Sequence, residues 1–361
     1  MKDVLELAIK IQQIPAPTFD EHQRAEFIRD SFIQENLVDI EIDEIGNVYG
    51  CLPGSGETQP IVVSAHLDTV FPAGTVLHIE RTAEKIAGPG IGDNAVGVAG
   101  LFGLLRVLNQ RRVTLNADLW LVANVGEEGL GDLRGMRALV KRFADQTQAY
   151  IILEGMALGQ VYNRGLGVHR YRITIKTSGG HSWVDYGEPS AVHELAQIVN
   201  QLLALQLPDQ PRTSLNVGVI EGGTSVNTIA AEAHLELDLR SEDASVLSEL
   251  ANTVGSIVDN SHQSGVHATF ETIGQRPYGE IPRDHPLIRL AIQGLERVDI
   301  QPRLNIGSTD ANIPLSLGYP AVCLGLTTGD GAHTINEFIQ TSPLQLGLEQ
   351  LRYVVEELDN A

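Results

Sequence analysis

Short apolar runs that end abruptly in metal-type side chains constrain this chain more than any other feature. Residues 60–65 run into His66-Leu67-Asp68, residues 117–125 into Gly126-Glu127-Glu128, and residues 150–153 into Glu154. His333 follows shortly after the apolar run 320–326, and Asp93 stands in Gly92-Asp93-Asn94 ahead of a stretch rich in Ala, Val and Leu. Continuous apolar runs of this length read as strands buried on both faces, as in parallel sheet. In an open parallel sheet, ligands collect outside the carboxyl ends of the strands. Each of these side chains taken singly is a solvated loop acid or a helix cap. In series they are the inventory for holding two divalent metals, with one carboxylate shared and one left over as a base. The pattern implies a metal-dependent hydrolase.

Between the strands lie helical patterns. Residues 20–34 place Ala25, Ile28 and Phe32 at helical spacing, and residues 94–107 suit a helix packed on a sheet. This alternation predicts an α/β fold, a three-layer sandwich with a mostly parallel sheet. The texture changes near Gly165. Residues 168–176, 232–240 and 267–273 alternate polar and apolar, as half-buried strands do. Two helix patterns lie among them, at Val192, Leu195, Val199 and Leu202, and at Leu247, Leu250, Val254 and Ile257. Strand, helix, two strands, helix, strand is the order of a small ferredoxin-like α+β domain. The first texture returns afterwards, with helices expected from Pro286 and Pro343. The expected organisation is a catalytic domain of residues 1–165 and 277–361, with a lid domain of residues 166–276 inserted.

A chain of 361 residues is long enough for two domains. Its net charge of -21 argues against nucleic acid, whose phosphates need a basic surface. Two cysteines, Cys51 and Cys323, exclude a disulfide scaffold and fit a reducing compartment. The N-terminus reads as an amphipathic helix and not as a signal peptide. No window approaches the ~20 uninterrupted apolar residues of a membrane span, so a cytoplasmic protein without membrane contact is expected.

The chain resembles the co-catalytic zinc exopeptidases and deacylases, which include acetylornithine deacetylase, succinyl-diaminopimelate desuccinylase, aminoacylase, glutamate carboxypeptidase and peptidase T. The motifs that carry the resemblance span nearly the whole length. They are His-Leu-Asp-Thr-Val from His66, Gly-Asp-Asn from Gly92, Glu127-Glu128, Gly-Gly-His-Ser from Gly179, Asp-Leu-Arg from Asp238, and His333 followed by Glu337. The resemblance implies two divalent ions, zinc in the first place with cobalt or manganese as alternatives. It implies Asp93 as the bridge, His66 and Glu154 completing one site, and Glu128 and His333 the other. Asp68 would accept a hydrogen bond from His66 and fix its tautomer. Glu127, beside a ligand yet not one itself, would be the general base.

The resemblance also assigns the inserted domain. His181, which alone reads as a turn histidine, would come from the partner subunit and stabilise the oxyanion, which implies a homodimer. Arg240 would grip a substrate carboxylate, a task suited to the guanidinium fork, and Asn227 would help hold substrate or oxyanion. Trp183 departs from the small residue usual after His-Ser. Ser308, Thr309 and Asp310 lie in a loop of the type that lines the specificity pocket.

The expected substrate is a small peptide or an N-acyl amino acid. Glu at position 154 points to deacylases and carboxypeptidases, whereas Thr309 to Asn312 and the Glu-Phe-Ile run after His333 look closer to peptidase T. Against an aminopeptidase without a dimerising lid stands the long segment between Glu154 and His333. Against an inactive binding or regulatory homologue stands the retention of Glu127 with every expected ligand.

Overall fold

The computed structural model describes residues 2–360, and these fall into two compact units, Met1–Gly165 with Gly279–Ala361, and Leu166–Tyr278. Each unit has its own hydrophobic core.

The larger unit is built on a nine-stranded sheet. Its centre is four parallel strands in the order Ala117–Asn124, Thr58–His66, Ala149–Glu154, Ala321–Gly325. The middle of each is buried and apolar, so packing on both faces fixes the register. On one face Trp120 meets Phe143 edge-on at 5.4 Å between ring centroids, and Tyr150 Oη donates to Ala144 O at 2.7 Å, which seats the helix Arg134–Phe143. On the other face Leu153 lies under Gly100 of the helix Val96–Arg111, against which Leu348 of the final helix Leu344–Asp359 also packs. The result is helix, sheet, helix. Antiparallel strands flank the centre, Val48–Leu52 on one side and Gln160–Gly165 on the other.

The helix expected over 20–34 is His22–Gln34, and that expected over 94–107 is Val96–Arg111. The segment Ile91–Arg111 is long and apolar enough to cross a membrane, by length and composition. Its apolar window is 83% buried within the fold, so it is apolar all round because protein surrounds it. A small four-stranded sheet, not anticipated from sequence, runs Gly329–Asp330, Phe338–Gln340, Lys85–Ala87, Glu80–Arg81.

The smaller unit is a four-stranded antiparallel sheet, ordered Thr213–Gly222, Glu232–Ser241, Gly167–Lys176, His267–Arg276. Helices Ala191–Leu203 and Ala244–Asp259 follow the first and third of its strands in the chain. Leu235, Leu237 and Leu239 alternate with Glu236, Asp238 and Arg240, so one face of the sheet is core and the other charged. Thr213–Gly222 is an edge strand with Ile220 exposed.

Candidate metal centre

Strand ends deliver the donors. His66 closes Thr58–His66 and Glu154 closes Ala149–Glu154, both in the central sheet. Asp93 lies between them and a distant turn. Its Oδ1 is 3.1 Å from His66 Nε2 and its Oδ2 is 3.2 Å from His333 Nε2. Glu154 Oε2 lies 3.9 Å from His66 Nε2, and Glu128 Oε1 lies 3.3 Å from His333 Nε2. Two triples result, His66–Asp93–Glu154 and Asp93–Glu128–His333, each with donor atoms within 4.8 Å of one another and with Asp93 in common.

The charge state of this cluster follows from crowding. Burial raises Glu154 well above the usual carboxyl range; His66 offsets part of that, and Asp93, Glu127 and Asp310 add to it. Burial also works against the charged form of Asp93, but the His333 and His66 donors outweigh it and hold that carboxyl well below its usual value. Facing Asp93 and Glu128, His333 rises to about 10. Burial lowers His66, yet Asp68 and Asp93 overcome this and keep it well above an ordinary histidine.

The residues fit metal ions. Buried charges are paired or coordinate metals, and Glu128 Oε1 is buried with no hydrogen-bond partner of good geometry. Imidazole nitrogens and carboxylate oxygens are donors that suit zinc and its neighbours among divalent ions.

Asp68 faces His66 through both its backbone carbonyl and its carboxylate. His66 Nδ1 is closer to the Asp68 backbone carbonyl, at 3.1 Å, than to its carboxylate, at 3.6 Å. The wholly buried carboxylate also accepts from Glu127 N at 3.0 Å through Oδ1, and from Glu128 N at 2.9 Å and Thr18 Oγ1 at 2.8 Å through Oδ2. It therefore grips the loop that carries both glutamates. Glu127 itself is buried.

Three residues of the site carried no functional reading in the sequence. Buried Arg24 donates to Leu67 O at 2.6 Å, fixing the peptide between His66 and Asp68. Asn94 spans Glu154, donating to Leu153 O at 2.9 Å and accepting from Gly155 N at 3.1 Å. Glu337 accepts from the backbone of the Asp93 loop, and burial pushes its carboxyl up to about 7 against the pull of those N–H groups. Only the nearness of Glu337 to His333 in sequence hinted at such a part. Asp310, in the loop singled out with Ser308 and Thr309, is wholly buried, with Asn124 Nδ2 donating to it at 2.7 Å. Both thiols are buried and free, and burial pushes Cys51 up to about 12.

In the smaller unit, His181 and Asn227 come together. Ser182 N donates to Asn227 O at 3.1 Å, and Gly180–His181 pairs with Thr228–Ile229. Trp183 N and Val184 N donate to His181 Nδ1 at 3.2 and 3.3 Å, so the proton of the neutral ring belongs on Nε2. Trp183 beside it is 85% exposed. Arg240 is not part of this group. The His181 turn leaves the sheet beside the Lys176–Glu232 pair, whereas Arg240 pairs with Val168 at the far end. At ~3.3 Å per residue the two ends of that strand are about 25 Å apart. Arg240 Nε donates to Asp238 Oδ1 at 2.6 Å, and Arg170 Nε to Asp238 Oδ2 at 3.0 Å.

Two donor triples sharing one carboxylate at the mouth of a parallel sheet define the class: a metal-dependent hydrolase of the exopeptidase and amidohydrolase kind. The chain belongs to peptidase family M20/M25/M40, whose profile matches residues 62–357. It is 23% identical to a succinyl-diaminopimelate desuccinylase of Corynebacterium glutamicum, over 93% of this chain and 91% of that protein. Among solved structures, a tripeptidase of Staphylococcus aureus superposes with a TM-score of 0.83 at 20% identity, covering 100% of this chain and 99% of that one. A dinuclear metal-binding peptidase of the M20 family from Bacillus subtilis superposes with a TM-score of 0.70 at 16% identity, covering 99% and 98%.

Proposed function

We propose that the protein hydrolyses the amide bond of a small peptide or an N-acyl amino acid, with two divalent ions, zinc in the first place. The observation that carries this reading is Asp93, whose two oxygens each face a different imidazole at 3.1 and 3.2 Å. His66, Asp93 and Glu154 would hold one ion, and Asp93, Glu128 and His333 the other. When bound, such ions polarise the scissile carbonyl and bring the pKa of a water toward about 7.

The chain's own residues do the rest. Asp68 binds the Glu127 and Glu128 amides through different oxygens, which sets consecutive carboxylates on separate tasks. Glu128 faces His333 and the metal position, while Glu127 is the general base. Glu127 takes a proton from the attacking water on a carboxylate oxygen and delivers it to the departing nitrogen. His181, with its proton on Nε2, donates to the oxygen that gains charge in the transition state. Arg240 binds a carboxylate of the substrate, and Asn227 assists beside His181.

The His181 turn follows one end of the strand Gly167–Lys176 and Arg240 pairs with its other end, so one small substrate does not reach both within a single small unit. This supports a homodimer in which each active site takes His181 and Asn227 from the partner subunit. Two buried free thiols support a cytoplasmic location.

The test is to remove metal by chelation, reload with zinc, cobalt or manganese, count ions per chain, and assay N-acyl amino acids, dipeptides and tripeptides. Two ions per chain and turnover of at least one substrate group are expected. A folded protein carrying two ions and hydrolysing none of these substrates would overturn the assignment.

A further inference from the structure

Glu337 plays no part in the reaction outlined above, yet it is wholly buried next to the candidate metal positions. Its Oε1 accepts from Gly92 N at 2.6 Å and Asp93 N at 2.7 Å, and its Oε2 from Gly90 N at 3.1 Å. Its own carbonyl accepts from Gly88 N at 2.8 Å. Four backbone N–H groups of one loop therefore end on this single residue, which joins two segments far apart in sequence.

The second segment is the turn that carries His333. Thr334 closes it, with N and Oγ1 donating to Gly331 O at 3.0 and 2.7 Å, and Glu337 N returns to Thr334 O at 3.2 Å. His333 stands in that turn with its side chain 55% exposed, whereas His66 at the strand end is 1% exposed. Little packing holds the His333 ring in place. Besides the His333 ring itself, which meets Asp93 Oδ2, the Glu337 side chain ties this turn to the backbone of the Asp93 loop.

The two halves of the centre are supported differently. His66 and Glu154 end strands that are paired side by side in the central sheet. Asn94, next to Asp93, ties the bridge to the backbone on both sides of Glu154. Asp93 thus keeps an anchor on the Glu154 side even without Glu337. On the His333 side the corresponding anchor is Glu337.

Building on the two-metal reading, we propose that Glu337 is a positioning residue for the Asp93–Glu128–His333 site. It fixes His333 relative to Asp93, so the affinity of this second site depends on it and that of the His66–Asp93–Glu154 site does not.

The experiment titrates chelator-stripped full-length protein with Co²⁺, followed by calorimetry and by visible absorption. Wild type takes two ions. In Glu337→Ala one ion keeps its wild-type affinity while the other weakens by about 10–100-fold, the usual cost of losing a residue that orients a metal ligand. Glu337→Gln lies between, because one oxygen still accepts from Gly92 and Asp93 while its NH₂ opposes the Gly90 N–H. His333→Ala gives the same one-ion state as Glu337→Ala, and adding Glu337→Ala to it changes little further. Equal weakening of both ions, or no change in either, overturns the proposal. So does loss of folding in both Glu337 variants, because Glu337 would then serve the fold as a whole. Wild type binding fewer than two ions would instead overturn the two-metal reading, before any Glu337 variant is made.

Discussion

In the larger unit the central strands run in parallel, their middles are buried on both faces, and their candidate reactive side chains stand at one edge. In the smaller unit the strands run antiparallel, one face is packed by core residues, and the other face is a ladder of charged pairs such as Arg172 with Glu236. Parallel strands bring their carboxyl ends to the same side, so His66, Glu127, Glu128 and Glu154 gather there, and Asp68 and Asn94 then fix their loops. Antiparallel neighbours send successive strand ends to opposite sides. Residues of the smaller unit therefore fall into two groups, His181 with Asn227 at one end and Arg240 at the other. One architecture concentrates chemistry; the other distributes contacts between two places.

This contrast can be broken first at its strongest point. Asp93→Asn should lose both ions and reduce hydrolysis to background, because the bridge belongs to both triples; elemental analysis showing two ions retained would end the bridging assignment. Next in size is Glu127→Gln, expected to keep both ions and substrate affinity while turnover falls by on the order of 10²–10⁴-fold. Near-normal turnover in that variant would mean that the base lies elsewhere.

His181→Ala probes the smaller unit and should lower kcat by about 10²–10³-fold with metal content untouched. Mixing inactive His181→Ala chains with inactive Glu127→Gln chains should restore part of the activity, since one site in each heterodimer regains both residues. Verified heterodimers without activity would confine His181 to its own chain. The smallest effect sharpens the division of labour. Ile173→Val in the smaller core and Ile151→Val in the larger, both wholly buried, should each cost about 0.5–1.5 kcal/mol of stability. Chemical denaturation with ions counted alongside would check this; metal loss in Ile173→Val would deny the smaller unit its independence.

The donors were legible in the sequence because buried parallel strands leave a plain trace. Ile61 to Ala65 is uninterrupted by charge, and the first polar side chain after it is His66. Alternation made the smaller sheet equally visible, with Leu235, Leu237 and Leu239 alternating with His234, Glu236, Asp238 and Arg240. Residues that act by gripping backbone left no such trace. Glu337 meets Asp93 across 244 positions of chain, and its partners are N–H groups, which every residue but proline has. Arg24 and Asn94 were hidden for the same reason. The small sheet around Phe338–Gln340 has strands of two or three residues, too short to show a period. The burial of Asp310 against Asn124 also depends on tertiary packing, which local sequence does not show.

If Arg240 receives the substrate carboxylate as proposed, its pairing with Asp238 has a consequence for selectivity. Nε and Nη2 donate side-on to the aspartate, at 2.6 and 3.3 Å, so Nη1 and the end-on edge of the fork lie outside that pair. A long side chain held this way gives up its rotamer freedom when the protein folds and not when a ligand arrives. An incoming carboxylate then meets a donor edge already aimed in one direction. It must also tolerate the negative charge of Asp238 close behind. An amide or ester of the same shape gains less from the guanidinium. On that reading the pair would work as a filter that rewards a full negative charge in one orientation.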